Sequence, residues 1–169
     1  MEKIVRNYLE IKSINQLIEK KKPNKNFFVE KVFKTDFQLN KFFYKQIGKN
    51  HQWKDRLAWT DKQWIEYVSN KNVTTYVLKE NNSIAGFFEL IHHKDKSEVE
   101  IAYLGLLEEY IKKRLGGYML TEAIQISFKK SVKRVWVHTC SLDHKNALQN
   151  YISRGMKIYN SESLSVKSA

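Results

Sequence analysis

Along this chain the spacing of apolar positions changes several times, and each change marks an element. Residues 4–11 and 27–33 read as strands, joined by a polar turn near Pro23. Past Asp36 the spacing becomes helical, with Phe37, Leu39, Phe42, Phe43 and Ile47 on one side and Asp36 as the cap. Thr60-Asp61-Lys-Gln63 opens a second helix: Thr60 caps its start, Gln63 reaches back, and Trp64, Ile65, Tyr67 and Val68 make its apolar side. Residues 74–78 and 83–91 flank Glu80-Asn-Asn82, a hairpin signal, and 98–107 is a further strand. A helix over about 113–130 follows, then a strand at 134–140 and a helix over about 144–153. Gly155 ends that helix, and 156–159 can form a last short strand. This order predicts an α/β domain with a mixed, mostly antiparallel central sheet flanked by helices.

Composition narrows the class. A chain of 169 residues, 42% hydrophobic and 13% aromatic, is expected to form one domain over 1–169. Within it, 1–26 reads as an N-terminal extension of strand and loop, and 161–169 as a short tail. No run of about 18 apolar residues is present, so no membrane span is expected, and the first residues lack a signal-peptide apolar segment. Cys140 is the only cysteine and cannot form an internal disulfide, which fits a cytoplasmic protein. No His/Cys/Asp cluster has metal-ligand spacing, so no metal is expected. The net charge of +12 comes from lysines spread along the chain and mixed with glutamates. Its one dense run, Lys20-Lys-Lys22, has the character of a solvated loop. Nucleic-acid binding is therefore not favoured, although a basic surface concentrates anionic ligands, nucleotide cofactors included.

One segment carries chemistry by its own design. In Tyr110-Ile-Lys-Lys-Arg-Leu-Gly-Gly-Tyr-Met-Leu-Thr-Glu-Ala123 a strand runs into a basic glycine-containing turn and then a helix. Backbone N–H groups at a helix start are unpaired and point outward, so such a turn can hold a phosphate. Lys112, Lys113 and Arg114 add positive charge at the same place.

This segment, the strand after it and the closing Ala147-x-x-x-Tyr151-x-x-x-Gly155-Met156 together resemble the GNAT superfamily of acyl-CoA-dependent N-acetyltransferases. The resemblance covers about residues 27 to 160. Three phrases are similar to one bacterial subfamily: His51-Gln-Trp53-Lys-Asp55-Arg56-Leu-Ala-Trp59, Val99-Glu100-Ile-Ala-Tyr103-Leu-Gly105-Leu-Leu, and Arg134-Val-Trp-Val-His138-Thr-Cys-Ser-Leu-Asp143-His144. The resemblance implies acetyl-CoA as co-substrate, held by Ile111, Lys112, Lys113, Arg114, Leu115, Gly116 and Gly117 of the turn, and by His144 and Tyr151. Backbone N–H groups near Leu104 and Leu106 would bind the pantetheine arm and polarise the acetyl carbonyl. Two departures stand out. Arg114 replaces the first glycine of the family's phosphate turn, and His144 stands where many members have asparagine.

Acetyl transfer needs a deprotonated amine, yet an alkylamine of lysine type has a pKa of about 10.4 and is protonated at neutral pH. By position Glu100 matches the general-base glutamate of histone-type members; Glu89 on the neighbouring strand is a second candidate, and a water chain a third. Tyr151 matches the tyrosine placed near the coenzyme A sulfur, where its hydroxyl can protonate the departing thiolate. His138 can also act as a base, though a strand histidine is more often structural, and Cys140 reads as a small core residue. The helices after the first family strand wall the acceptor side, which assigns His51, Trp53, Asp55, Arg56 and Trp59 to acceptor binding. The acceptor would be a small-molecule or protein amine, and a homodimer is compatible with the family. The alternative function is a GNAT-fold module that binds acyl-CoA or a partner without turnover.

Overall fold

The computed structural model describes residues 3–165. Its strands are β1 (Lys3–Ile11), β2 (Phe27–Lys31), β3 (Val73–Glu80), β4 (Ser83–His93), β5 (Glu98–Leu106), β6 (Arg134–Cys140) and β7 (Lys157–Ser165). The helices are α1 (Phe37–Gly48), α2 (Asp61–Ser69), α3 (Gly116–Phe128) and α4 (Ala147–Ser153). The strands form one sheet in the order β2-β3-β4-β5-β6-β1-β7. Every neighbouring pair is antiparallel except β5 and β6.

The expected elements form, with three shifts that matter. The helix predicted from about 113 starts at Gly116, because residues 108–113 wind more tightly as a 3₁₀ turn. The helix predicted from 144 starts at Ala147. The segment expected as a tail from 161 instead continues β7 to Ser165, because β1 offers it a ladder from Tyr8 back to Lys3; residues 166–169 lie outside the described ones. The N-terminal strand is thus no appendage. It fills the place between β6 and β7, and its apolar Ile4, Leu9 and Ile11 are buried.

Caps fix the helix starts as their sequences suggest. The Asp36 carboxylate accepts from Gln38 N at 2.9 Å, and Thr60 and Gln63 form a complete capping box. Helices cover both faces of the sheet. On one, α3 brings Met119, Leu120, Ala123 and Ile124 against Leu9, Phe88, Leu90, Val99, Ile101, Val135 and Val137. On the other, Phe43 and Ile47 of α1 meet Val77 and Phe87, with the Phe43 and Phe87 rings stacked at 4.8 Å. Each such side chain contributes about 1.5–3 kcal/mol by leaving water. Gly105 permits this approach, since a Cβ there would come within 2.7 Å of Ile47 Cγ2.

A bulge in β5 sorts side chains between the faces. Glu89 pairs with Tyr103 and Leu90 with Ile101, so Ala102 is the extra residue. Ile101 and Leu104 therefore both join the α3 core, while Tyr103 turns to the α1 side.

Candidate active site

β5 and β6 part company early. They pair only from Glu98/Arg134 to Glu100/Trp136, although β5 runs on to Leu106 and β6 to Cys140. Beyond the fork, alternate backbone groups on the β6 side of β5 have no ladder partner. The fork opens a cleft of about 740 Å³, lined by Ile101 to Leu106 of β5, Val137, His138 and Cys140 of β6, and Ile4 and Arg6 of β1. It passes through the sheet, so the α3 face and the α1 face share one cavity.

The α3 end is cationic. Arg114 adopts the left-handed conformation (φ 59°, ψ 36°) and so keeps the turn that a glycine would give, at a cost of about 1–2 kcal/mol for an L residue. Ile111, Arg114, Gly116 and Gly117 line the cleft there. Three other residues assigned to this site do not. Leu115 is buried in the core, Lys112 is exposed outside the lining, and Lys113 sits 3.7 Å from Glu80 and over the Tyr110 ring.

Two cations that sequence reasoning did not assign complete this end. A Cβ on Gly117 would lie 2.6 Å from Arg154 Nη1 and 3.0 Å from Lys20 Cγ, so both side chains crowd the start of α3. Lys20 is held there by its backbone N–H donating to Thr121 Oγ1 at 2.9 Å. Arg154 has a buried Nε with no hydrogen-bond partner among the described residues, and burial lowers its pKa from the ordinary guanidinium value. Gly155 makes the junction fit: at φ 101° it ends α4, and a Cβ would lie 2.1 Å from Gln16 O of the N-terminal loop.

At the other end the loop between α1 and α2 forms a roof. His51, Trp53 and Asp55 of this loop line the cleft. Trp53 Nε1 donates to Asp143 Oδ1 at 3.3 Å, while Asp143 Oδ2 accepts from Thr139 Oγ1 at 2.6 Å and Cys140 N at 2.9 Å. The His51 and His144 rings meet edge to face at 5.6 Å across the loops, and burial followed by the field of His144 lowers the His51 pKa.

Arg56, Trp59 and Glu89 lie behind this roof and do not line the cleft. Arg56 is 6% exposed and Glu89 is fully buried. Arg56 Nη1 donates to both Glu89 oxygens, at 3.0 and 3.1 Å, and Asn40 Nδ2 and the Tyr67 hydroxyl donate to the same carboxylate. The guanidinium is caged by Tyr67 at 4.1 Å, Tyr103 at 4.4 Å and Trp59 at 4.8 Å, with Trp64 and Tyr44 farther out. This hub leaves Glu89 no free lone pair facing an amine, and its place is structural: it pins the roof to the sheet.

Glu100 also stands off the cleft. Its carboxylate meets His93 Nε2 at 3.0 Å on the outer sheet face. His138 is the group from that neighbourhood that does face the cavity. Partial desolvation in the concave wall, then the charge of Arg6, lowers its pKa, against a smaller opposing effect of Glu100. Tyr151 lines the cleft near the fork, and burial followed by Asp143 raises its pKa well above the phenol value. Leu104, Leu106 and His144 line the cleft as well. Among the described residues no group of three or more His, Cys, Asp or Glu side chains is placed to hold a metal ion, and no helix is long and apolar enough to cross a membrane.

Comparison with known proteins bears on this geometry. No curated protein matches the sequence. Solved structures share the fold at low identity. A GCN5-related N-acetyltransferase from Sphaerobacter thermophilus superposes with a TM-score of 0.71 at 13% identity, over 94% of this chain and 49% of its own. A conserved protein of unknown function from Staphylococcus epidermidis gives 0.67 at 16%, over 96% and 60%. An aminoglycoside acetyltransferase from an uncultured soil sample, in complex with trehalose, gives 0.63 at 15%, over 79% and 90%. This chain thus spans about half to three-fifths of the length of the first two. The Acetyltransferase (GNAT) family profile matches residues 32–156, from the residue after β2 to the residue after Gly155, and the chain belongs to that family.

Proposed function

We propose that the chain transfers an acetyl group from acetyl-CoA to an amine by direct attack in a ternary complex. The observation that carries this is the fork between β5 and β6, which joins a cationic turn on one sheet face to an open chamber under the α1–α2 loop on the other. The residues present suit acetyl-CoA. The unpartnered Arg154 Nε, Lys20, Arg114 and the amides of Gly116 and Gly117 fit its phosphates, and the free strand edge of β5 fits its amide-bearing arm. Bound there, acetyl-CoA supplies the activated acyl carbonyl.

The chain supplies the rest. Backbone N–H groups of β5 at the fork can donate to the carbonyl oxygen, where charge develops. His138, neutral at pH 7 because its pKa is lowered, can accept the proton of an incoming ammonium. Glu100, hydrogen-bonded to His93, then acts on His138 through its field rather than as the base itself. Tyr151 keeps its proton at neutral pH and can give it to the departing sulfur. The left-handed Arg114 preserves the turn despite the missing glycine, which supports acetyl-CoA binding there.

The structural neighbours that are aminoglycoside acetyltransferases act on small-molecule amines, which supports an acceptor of that size. An aminoglycoside itself suits this cleft poorly. Its several ammonium groups would meet Arg6 and Lys54 and find one lining carboxylate, Asp55, without a donor among the described residues, since both oxygens of Asp143 are already bonded. Thiol release from acetyl-CoA against a panel of small amines tests the proposal: amine-dependent release is expected, and none with any amine would overturn it.

A further inference from the structure

The acceptor end holds a cation, Arg6, that has Tyr8 beside it but no acidic partner among the described residues. Arg6 stands on β1 opposite Cys140, and Tyr8 stands opposite His138, so all four side chains share the outer sheet face. Arg6 lines the cleft, and its Nε is buried without a hydrogen-bond partner among the described residues. Glu162 lies across from it on β7, but that carboxylate accepts from the Tyr8 hydroxyl at 3.2 Å. Arg6 forms no ion pair among the described residues. A guanidinium with a dry, unshared donor has lost water without replacement, and a carboxylate that engages its fork restores what was lost.

The facing wall carries the opposite charge. Asp55, exposed on the roof, lines the same chamber and forms no ion pair among the described residues. Burial opposes the charge of Arg6, yet Tyr8, Cys140 and Asp55 raise its pKa overall; Asp55 acts on His138 as well. Cation and anion thus border one space next to the imidazole. We propose that Arg6 and Asp55 form an acceptor subsite for an amine that carries its own carboxylate, a compound of the amino-acid class. The carboxylate sits on the Arg6 guanidinium, and the ammonium lies between Asp55 and His138, which takes its proton. A simple amine would leave Arg6 unanswered, and a polyamine would be repelled by Arg6 and Lys54. The subsite rests on the acetyl-transfer function proposed above.

Matched pairs test it: amino acids and the amines left by removing their carboxylate, assayed by thiol release at saturating acetyl-CoA. The wild-type protein is expected to favour the amino acid by about tenfold or more in kcat/KM, the scale of one charge-assisted hydrogen bond. In Arg6→Met and Arg6→Gln that preference should collapse, chiefly through KM, and Arg6→Lys should restore part of it. Amines that match or beat their amino acids with the wild-type protein, where no variant need fold, overturn the subsite and leave acetyl transfer standing. So does a preference that survives in a folded Arg6→Met. Absence of thiol release with every compound overturns acetyl transfer itself, and the subsite with it.

Discussion

A histidine serves as a base only while neutral, and the surroundings of His138 favour that state. With its pKa below the ordinary imidazole value, the acid limb of kcat/KM should lie below about pH 6.5, and any further rise at high pH belongs to the amine. His138→Gln is expected to lower kcat/KM at neutral pH by about a hundredfold or more with acetyl-CoA affinity nearly intact, read by steady-state rates and calorimetry. Full activity in that variant would remove His138 from the mechanism. The same shift has a stability side. As pH falls, the unfolded chain protonates His51 and His138 near pH 6.5, before the folded chain does. The unfolded state then binds more protons, so stability is lost as pH falls and the melting temperature should drop between about pH 7 and pH 5. Tyr151→Phe separates chemistry from packing in another way. It keeps the ring in place, so turnover should fall with little change in acetyl-CoA affinity, whereas unchanged kcat with a lowered melting point would leave Tyr151 a structural role. Sequence alone marked Tyr151 by resemblance but could not rank His138 above Glu100. Both are polar residues on neighbouring strands, and only the fork decides which of them faces the cavity.

At the scale of elements, the roof depends on the Arg56–Glu89 hub. Glu89→Gln would leave a buried guanidinium without its counter-charge and is expected to cost about 3–5 kcal/mol, measured by denaturant unfolding. A purely catalytic Glu89 would instead lose rate and keep its stability. The helices and most strands were legible because their signals are local: the Asp36 cap, the Thr60/Gln63 box, the hairpin at Glu80 and the glycine after α4. The basic turn before α3 was legible as a turn too, since strand, basic turn and helix are contiguous in the chain. The roles of Arg56 and Trp59 were not. An arginine flanked by aromatics has the same sequence signature whether it binds a ligand or is caged by its own side chains, and here five rings enclose it.

Across the whole molecule, the decisive placement is that of the N-terminal segment. Residues 1–26 read as an extension, yet β1 enters the sheet beside β6 and brings Arg6 to one end of the cleft, while the following loop brings Lys20 to the other. Nothing local announces this, because strand order depends on pairings more than a hundred residues apart, such as Arg6 with Cys140. Arg154 escaped notice for a similar reason: only the fold sets it against Gly117. Reversing charge at this end, with Lys20→Glu and Arg154→Glu together, should weaken acetyl-CoA binding and flatten its salt dependence, as followed by calorimetry at several ionic strengths. The most direct measurement is a single one: mass spectrometry of the acceptor alongside thiol release, with acetyl-CoA and a panel of amines that includes amino acids. Acetylated amine formed in step with free thiol is expected. Thiol release without acetylated amine, or no release at all, would contradict acetyl transfer through the β5–β6 fork.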